Sequence, residues 1–325
     1  MGMGFKVHLS QWTRFKIKIL AVLSLSVILT PLPFASQGSA AEKTIGVIMT
    51  GDIPYYRDVH TAFMARLGRE GYADRVEVIM QKPYPDPISL SNAARKLIAV
   101  DADIIVAYGA PAALAVFREK TKIPMVYGGV YEPLTPKITA KNTTGISSRI
   151  SVSSLLRYLR GIAPITNLGV IYSANEEDSV YQTKELLKLS DQYGFKIEEI
   201  NLKRPQDTKS MLSGKKLDAI FITGSAIANM ASSSIVEFSR NQRIPTASLL
   251  PDKSYHVIVT LSPSPRDLGE KIAEKVIKVL NNVSPERIKV DSSSDTELIF
   301  NLREAKDMGF KIPMSLVTEA TKLIQ

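Results

Sequence analysis

The sequence predicts an α/β protein of two doubly wound, Rossmann-like lobes that face each other across an interlobe cleft and are joined by a hinge. Three observations carry that prediction. From Thr44 onward, short Ile- and Val-rich runs alternate with helix-period segments, the signature of parallel strands joined by crossover helices. The series then repeats: IGVIM from Ile45 is echoed by LGVIY from Leu168, DIIVAYGA from Asp103 by DAIFITGS from Asp218, and KIPMVYGG from Lys122 by RIPTASLL from Arg243, at offsets of 123, 115 and 121 residues. Three echoes in the same order mark two lobes of one architecture. Between them ITAKNTTGISSRISVSS is polar and rich in Ser and Thr, a crossover near Asn142 to Ser151.

Taken in order, the chain opens with a basic stretch ending at Lys18, an apolar run from Ile19 to Leu29, then Pro31, Pro33 and the small residues Gly38-Ser39-Ala40-Ala41. This is the layout of a secretory signal peptide over residues 1–41, cleaved after Ala40 or Ala41. The apolar run is short of the roughly 20 residues that a spanning helix needs. No cysteine follows it, so the acceptor for a lipoprotein anchor is missing and a periplasmic protein is expected. Ile45 to Met49 reads as a strand, Thr50 to Tyr56 as a loop, and Val59, Phe63 and Leu67 as one face of a helix closed by Gly71. Val76 to Met80 is the next strand and Pro83 to Pro87 a turn; Leu90, Ala93, Ala94, Leu97 and Ile98 form a helix face. Asp103 to Tyr108 and Ile123 to Tyr127 are strands separated by a helix through Leu114 and Phe117.

After the second series, Val257 to Leu261 reads as a strand, and Ser264, Pro265 and Asp267 as the start of a helix with Leu268, Ile272, Val276, Val279 and Leu280 inward. Its place in the chain predicts a return to the first lobe. Ile288 to Val290 and Leu298 to Asn301 are short strands that finish the second lobe or brace the hinge, before a helical tail broken at Pro313. The expected boundaries are residues 42–147 plus about 256–284 for lobe one, and 148–255 plus about 285–325 for lobe two.

Composition narrows the function. With 45% hydrophobic and 22% charged residues and no cysteine in 325 residues, collagenous, disordered and disulfide-stapled classes are excluded, as are thiolate zinc sites and cysteine nucleophiles. The net charge of +9 includes Lys6, Arg14, Lys16 and Lys18 of the leader, so the mature part carries 9 − 4 = +5. Its Lys and Arg are interspersed with acids rather than gathered in a patch, which argues against a nucleic-acid partner. There is no P-loop, dinucleotide fingerprint, nucleophile elbow or zinc-spaced histidine pair. His60 and His256, the mature histidines, read as surface or packing residues. No catalytic residue, metal or cofactor is expected.

In such a fold, ligands bind at the carboxyl ends of the strands. The loops placed there are Thr50 to Tyr56, Gly109-Ala110-Pro111, Gly128 to Glu132, Ser173 to Glu176, Thr223-Gly224-Ser225 and Pro251-Asp252. Their hydroxyls, amides and backbone N–H groups suit a small ligand bearing a carboxylate. Tyr55, Tyr56, Tyr108, Tyr127, Tyr131 and Tyr172 fall in or beside these loops, where a flat ligand could stack.

Three segments carry a family resemblance: YGAPAALAVFREKTKIPMVYGGVYEPL (Tyr108 to Leu134), NLGVIYSANEEDS (Asn167 to Ser179) and FNLREAKDMGFKIP (Phe300 to Pro313). They resemble the ABC-transporter substrate-binding proteins of the tryptophan/tyrosine-uptake type. The resemblance implies a type I periplasmic-binding-protein fold with a three-segment hinge, and delivery of a solute, often an aromatic amino acid, to a membrane permease. It matches Ala110-Pro111 and Tyr131-Glu132-Pro133 to the family's ligand loops of lobe one, and Asn175 and Thr223 to Ser225 to those of lobe two. Departures bear on the ligand rather than the fold: Glu132-Pro133 replaces an Asp-Pro pair, Gly224-Ser225 replaces an Asp-Asn pair, and SYHVIVTLSPSPRDLG replaces a Gly-Ala-rich segment.

The expectation is therefore a non-enzymatic, monomeric solute-binding protein of an ABC importer that closes on an amino acid. Donors of Ala110, Ser173, Thr223 and Ser225 would take the carboxylate, Glu132 or Asp252 the ammonium, and Tyr55 or Tyr131 the side chain. The rivals are a sensor of the same fold that reports to a membrane receptor, and an exported enzyme.

Overall fold

Strands covered on both faces are apolar at odd and even positions alike, and the Ile- and Val-rich runs have that character. In the computed structural model, which describes residues 43–131, 137–148, 150–254, 256–293 and 295–325, they form two sheets. The leader read as a signal peptide lies outside the described residues, as does Glu132.

Lobe one begins with β1 (Lys43–Met49), α1 (Pro54–Arg69), β2 (Val76–Gln81), α2 (Pro87–Ala99), β3 (Ile104–Tyr108), α3 (Ala110–Arg118), β4 (Met125–Tyr131) and β5 (Thr143–Ser148). Lobe two follows with α4 (Val152–Ile162), β6 (Asn167–Tyr172), α5 (Glu177–Tyr193), β7 (Lys196–Asn201), α6 (Thr208–Leu212), β8 (Ala219–Ile222), α7 (Ala226–Met230), α8 (Ser232–Gln242), β9 (Thr246–Ser248) and β10 (Val259–Pro263). The chain ends with α9 (Pro265–Leu280), β11 (Asp291–Ser293), β12 (Thr296–Asn301), α10 (Leu302–Asp307), α11 (Met314–Val317) and β13 (Lys322–Ile324).

The strand orders are β2-β1-β3-β4-β5-β11 and β7-β6-β8-β9-β10-β12-β13. Every pair is parallel except β10 with β12. The three sequence echoes fall on matching strands, β1 and β6, β3 and β8, β4 and β9. Each sheet reverses its winding beside its first strand, between β1 and β3 and between β6 and β8, which is where open α/β sheets make a crevice.

Side-chain alternation sorts the core into layers. Val47 and Val106 pack with Phe63 and Ile272 on one face of the first sheet, while Ile48 and Ile105 pack with Leu97 and Ala113 on the other. In lobe two, Val170 and Phe221 meet Leu156, and Ile171 and Ile220 meet Leu212 and Ile235. Helix ends follow local chemistry: Asp86 accepts from the Ile88 and Ser89 N–H groups at 2.9 and 3.0 Å, with Pro87 in the first turn of α2.

The chain passes between the sheets three times, after β5, from β10 to α9, and from β11 to β12. Helix α9 returns to lobe one and lies against α1 at close quarters, because Gly269 lets the backbones approach; a Cβ there would collide with the Val59 carbonyl and the Phe63 N–H.

The structure differs from the sequence reading at these crossings. Residues 259–263 stay in the second sheet, paired with β9 and β12, so the passage to lobe one falls at Ser264 rather than near residue 256. The strand expected at Ile288 to Val290 is found at Asp291–Ser293, on the edge of the first sheet beside β5. The buried ammonium of Lys275 holds it there, donating to Asp291 Oδ2 at 2.7 Å and to the Lys289 carbonyl. The tail expected to be helical ends in β13, parallel to β12. A three-residue edge strand is too short to show a period.

Candidate functional site

The carboxyl ends of both sheets face each other, and between them lies a cavity of about 20 Å³. Lobe one lines it with Tyr55, Tyr56, Gly129, Tyr131 and Ser148; lobe two with Asp178, Gln182, Gly224 and Leu250; the crossings add Ile150 and Pro263. The cavity has room for little more than one water. The lobes are thus closed, and contacts across the cleft hold them so. Tyr131 donates its hydroxyl to Glu185 Oε2 at 2.6 Å, Arg118 donates to Glu177 Oε1 at 2.9 Å, and the Lys137 ammonium stands 5.2 Å from the centre of the Tyr181 ring.

Three polar atoms in this lining are buried without a hydrogen-bond partner in the protein: the Tyr55 hydroxyl, Ser148 Oγ and Asp178 Oδ1. Tyr55 sits in the first turn of α1, which Pro54 starts. Its hydroxyl is held well above the usual phenol range by burial, with Glu297 and Asp267 adding to the effect. Asp178 sits in the first turn of α5 and is 8% exposed. Burial pushes its carboxyl up to about 7, with repulsion from Glu176 and Glu177 adding to the effect, against hydrogen bonds from its own N–H and that of Tyr131. Tyr56 packs edge-on against Tyr55, with ring centres 5.4 Å apart, and stacks on Tyr108 at 6.4 Å.

Glu176 is the second buried carboxyl of lobe two. It accepts from Ser225 Oγ at 2.6 Å, Ala226 N–H at 2.7 Å and Ile227 N–H at 3.0 Å. Burial outweighs these bonds and raises it to about 7. The protein's own carboxylate therefore occupies the helix start where the sequence reading placed the solute's.

Of the residues expected in the site, the structure brings Tyr55, Tyr131 and Gly224 to the cavity wall. Gly224 donates its N–H to Gln182 Oε1 at 2.7 Å. Ala110 and Pro111 are buried in the first turn of α3 and do not border the cavity. Thr223 donates to the Ile171 carbonyl at 3.0 Å, and Ser225 is engaged by Glu176. Ser173 is fully buried with its hydroxyl unpartnered, and Asn175 is exposed. Asp252 closes a turn, accepting from the Ser254 and His256 N–H groups at 3.3 and 3.1 Å.

His60 packs beside Tyr108, its Nδ1 3.2 Å from the hydroxyl, and burial lowers it to about 4, so it stays neutral at pH 7. Sequence reasoning missed Asp178, Gln182 and Ser148. A signal was available for the first two: Asp178, Gln182 and Leu186 recur every fourth residue on the buried face of α5. Among the described residues, no group of three or more His, Cys, Asp or Glu could hold a metal ion, and no helix is long and apolar enough to cross a membrane.

The family model of the ABC transporter substrate binding protein matches residues 45–324. The chain belongs to that family. The substrate-binding protein shares its fold with a Streptococcus pneumonia ABC domain solved in complex with L-Trp, at TM-score 0.80 and 20% identity over 87% of this chain and 100% of that one. It is equally similar to a conserved domain protein from Vibrio cholerae, at TM-score 0.80 and 22% identity over 87% and 99%. An ABC transporter solute-binding protein from Bacillus halodurans with bound myo-inositol aligns at TM-score 0.57 and 13% identity over 81% and 96%. The fold is that of the type I periplasmic binding proteins, two α/β lobes with parallel sheets. No curated protein matches the substrate-binding protein in sequence.

Proposed function

We propose that this protein is exported to the periplasm, captures a small solute between its lobes and presents it to the permease of an ABC importer, the solute being an amino acid and an aromatic one first. The observation that carries the reading is the set of unpartnered buried atoms on both walls of the cleft, Tyr55 hydroxyl and Ser148 Oγ from lobe one and Asp178 Oδ1 from lobe two. Each costs about 1–3 kcal/mol when left unsatisfied, so a solute that partners all three at once favours the closed form over an open one. Tyr56, Tyr131 and Leu250 supply the apolar surface beside them. The basic-then-apolar leader supports export, and the L-Trp complex of a protein of this fold supports the solute class.

In this reading the solute is held by Tyr55, Tyr56, Tyr131, Ser148, Asp178, Gln182 and Gly224, and the lobes part to admit it and close on it less tightly than here, where the cavity holds little more than one water. A thermal-shift screen of the ligand-free mature protein tests it. Ligand at about 100 times its Kd stabilises by roughly 2.7 kcal/mol, a shift of several degrees. A selective shift with one aromatic amino acid is expected. No shift with any amino acid, from folded protein, overturns the solute assignment.

A further inference from the structure

Two rows of α5 face lobe one, and they do different things. Asp178 and Gln182 line the cavity. The neighbouring row, Glu177, Tyr181 and Glu185, repeats every four residues and so lies on one face of the helix. Its members reach across the cleft beside the cavity rather than into it. Glu185 Oε2 accepts from the Tyr131 hydroxyl at 2.6 Å. The Tyr181 ring packs against the lobe-one cluster that holds Tyr131 and Ile138, with the Lys137 ammonium 5.2 Å from its centre. Glu177 meets Arg118, whose side chain is 60% exposed, and this pair adds little.

The closure held by these contacts leaves room for little more than one water, so an amino acid enters only where the walls part. Asp178 and Gln182 ride on the same helix as the second row, and one helix moves as one piece. Drawing them back from Tyr55 and Tyr131 therefore withdraws Glu185 and Tyr181 as well. We infer that the row Glu177, Tyr181 and Glu185 is an autoinhibitory latch, which holds a shut form that excludes the solute. The apparent affinity for every solute of the cleft is then reduced by one factor, set by the fraction of the protein that is not shut. Loosening the latch tightens binding, the reverse of what the loss of a contact usually does. The inference rests on the reading that this cleft is the solute site, and the row acts through closure rather than by touching the solute.

The chain has no cysteine, so Ile88→Cys and Lys203→Cys, at exposed positions of lobe one and lobe two, place two spin labels for a distance measurement on the mature protein without added solute. One short distance is expected in the parent. Glu185→Ala and Tyr181→Ala, each shown to be folded by its melting curve, raise the population at a longer distance about fivefold or more. Calorimetry with L-tryptophan on the same variants is expected to show binding tighter by a like factor. An unchanged distance distribution in either variant overturns the latch, and so does tryptophan binding that is unchanged or weaker. Longer distances in both variants, with no heat from tryptophan or any other amino acid, leave the latch standing and overturn the solute assignment.

Discussion

The strand-to-helix turns after β3 and β8 occupy matching places in the two lobes, yet they are closed by opposite chemistry. In lobe one a neutral hydroxyl does the work: Thr50 Oγ1 donates to the Tyr108 carbonyl at 2.8 Å and accepts from the Ala112 N–H. Tyr56 packs against the same turn, since a Cβ at Gly109, where φ is 87°, would collide with its hydroxyl. In lobe two the residue at the position of Thr50 is Ser173, offset by the same 123 residues as the β1 and β6 echo, and its hydroxyl has no partner. Glu176 has taken over, with a charge-capable group that holds three donors at once. A shared backbone therefore fixes where a helix start lies and leaves open what satisfies it. The acidic choice in lobe two gives that wall of the cleft its character.

Substitutions that separate the two turns give graded effects. Glu176→Ala orphans one hydroxyl and two backbone N–H groups and is expected to cost about 3 kcal/mol, lowering the melting temperature on the order of 5–10 °C. A shift of a degree or less would show that water replaces the carboxylate, and the contrast between the lobes would fail. Thr50→Val, in lobe one, removes the acceptor for a single backbone N–H and costs about 2 kcal/mol in a urea melt. Ser173→Ala deletes a hydroxyl that bonds to nothing and leaves stability within about 0.5 kcal/mol of the parent.

The two carboxyls of lobe two also set a pH signature opposite in sign to that of His60 in lobe one, whose lowered value makes its contribution to stability rise with pH between about 4 and 6.5. Glu176 and Asp178 rise from ordinary values of 4.5 and 3.8 to about 7 in the folded protein. Between those values the folded state binds more protons than the unfolded one, so their contribution to stability falls as pH rises from about 4.5 to about 7 and is flat above that. Differences between the melting curves of the parent and of the variants across this range test the sign, because the opposite contribution of His60 cancels in them. Glu176→Gln and Asp178→Asn should each flatten the fall, and Thr50→Val should leave its slope alone.

Much of the fold was legible because parallel strands buried on both faces announce themselves locally; Val47, Ile48, Val106 and Ile105 are apolar in succession and need no partner to be recognised. The crossings were harder. Lys275 reads as one more surface lysine of an amphipathic helix, and only the tertiary structure shows it buried against Asp291. The site was legible by place but not by residue. The reading put it at the strand ends and named Tyr55, Tyr131 and Gly224, but the acidic run from Glu176 to Asp178 reads as an ordinary helix first turn, where acids favour the dipole. Asp178 is buried against Tyr131 of the opposite lobe and Glu176 against Ser225 to Ile227 of its own, partners far away in the sequence.

The passages from β10 to α9 and from β11 to β12 travel side by side. The antiparallel ladder reaches Pro263 and Thr296, Ser264 donates its N–H to the Asp295 carbonyl at 2.8 Å, and Ser293 Oγ donates to Asp267 at 2.9 Å. Mechanically this is a doubled strap, stiff to sliding and compliant to bending about one line. With a single further strand after β5, the joint has in effect one free coordinate. If the lobes open as proposed, capture is a flip along that coordinate rather than a wandering search, and a chemical cross-link between residues on opposite rims is expected to freeze the whole motion at once.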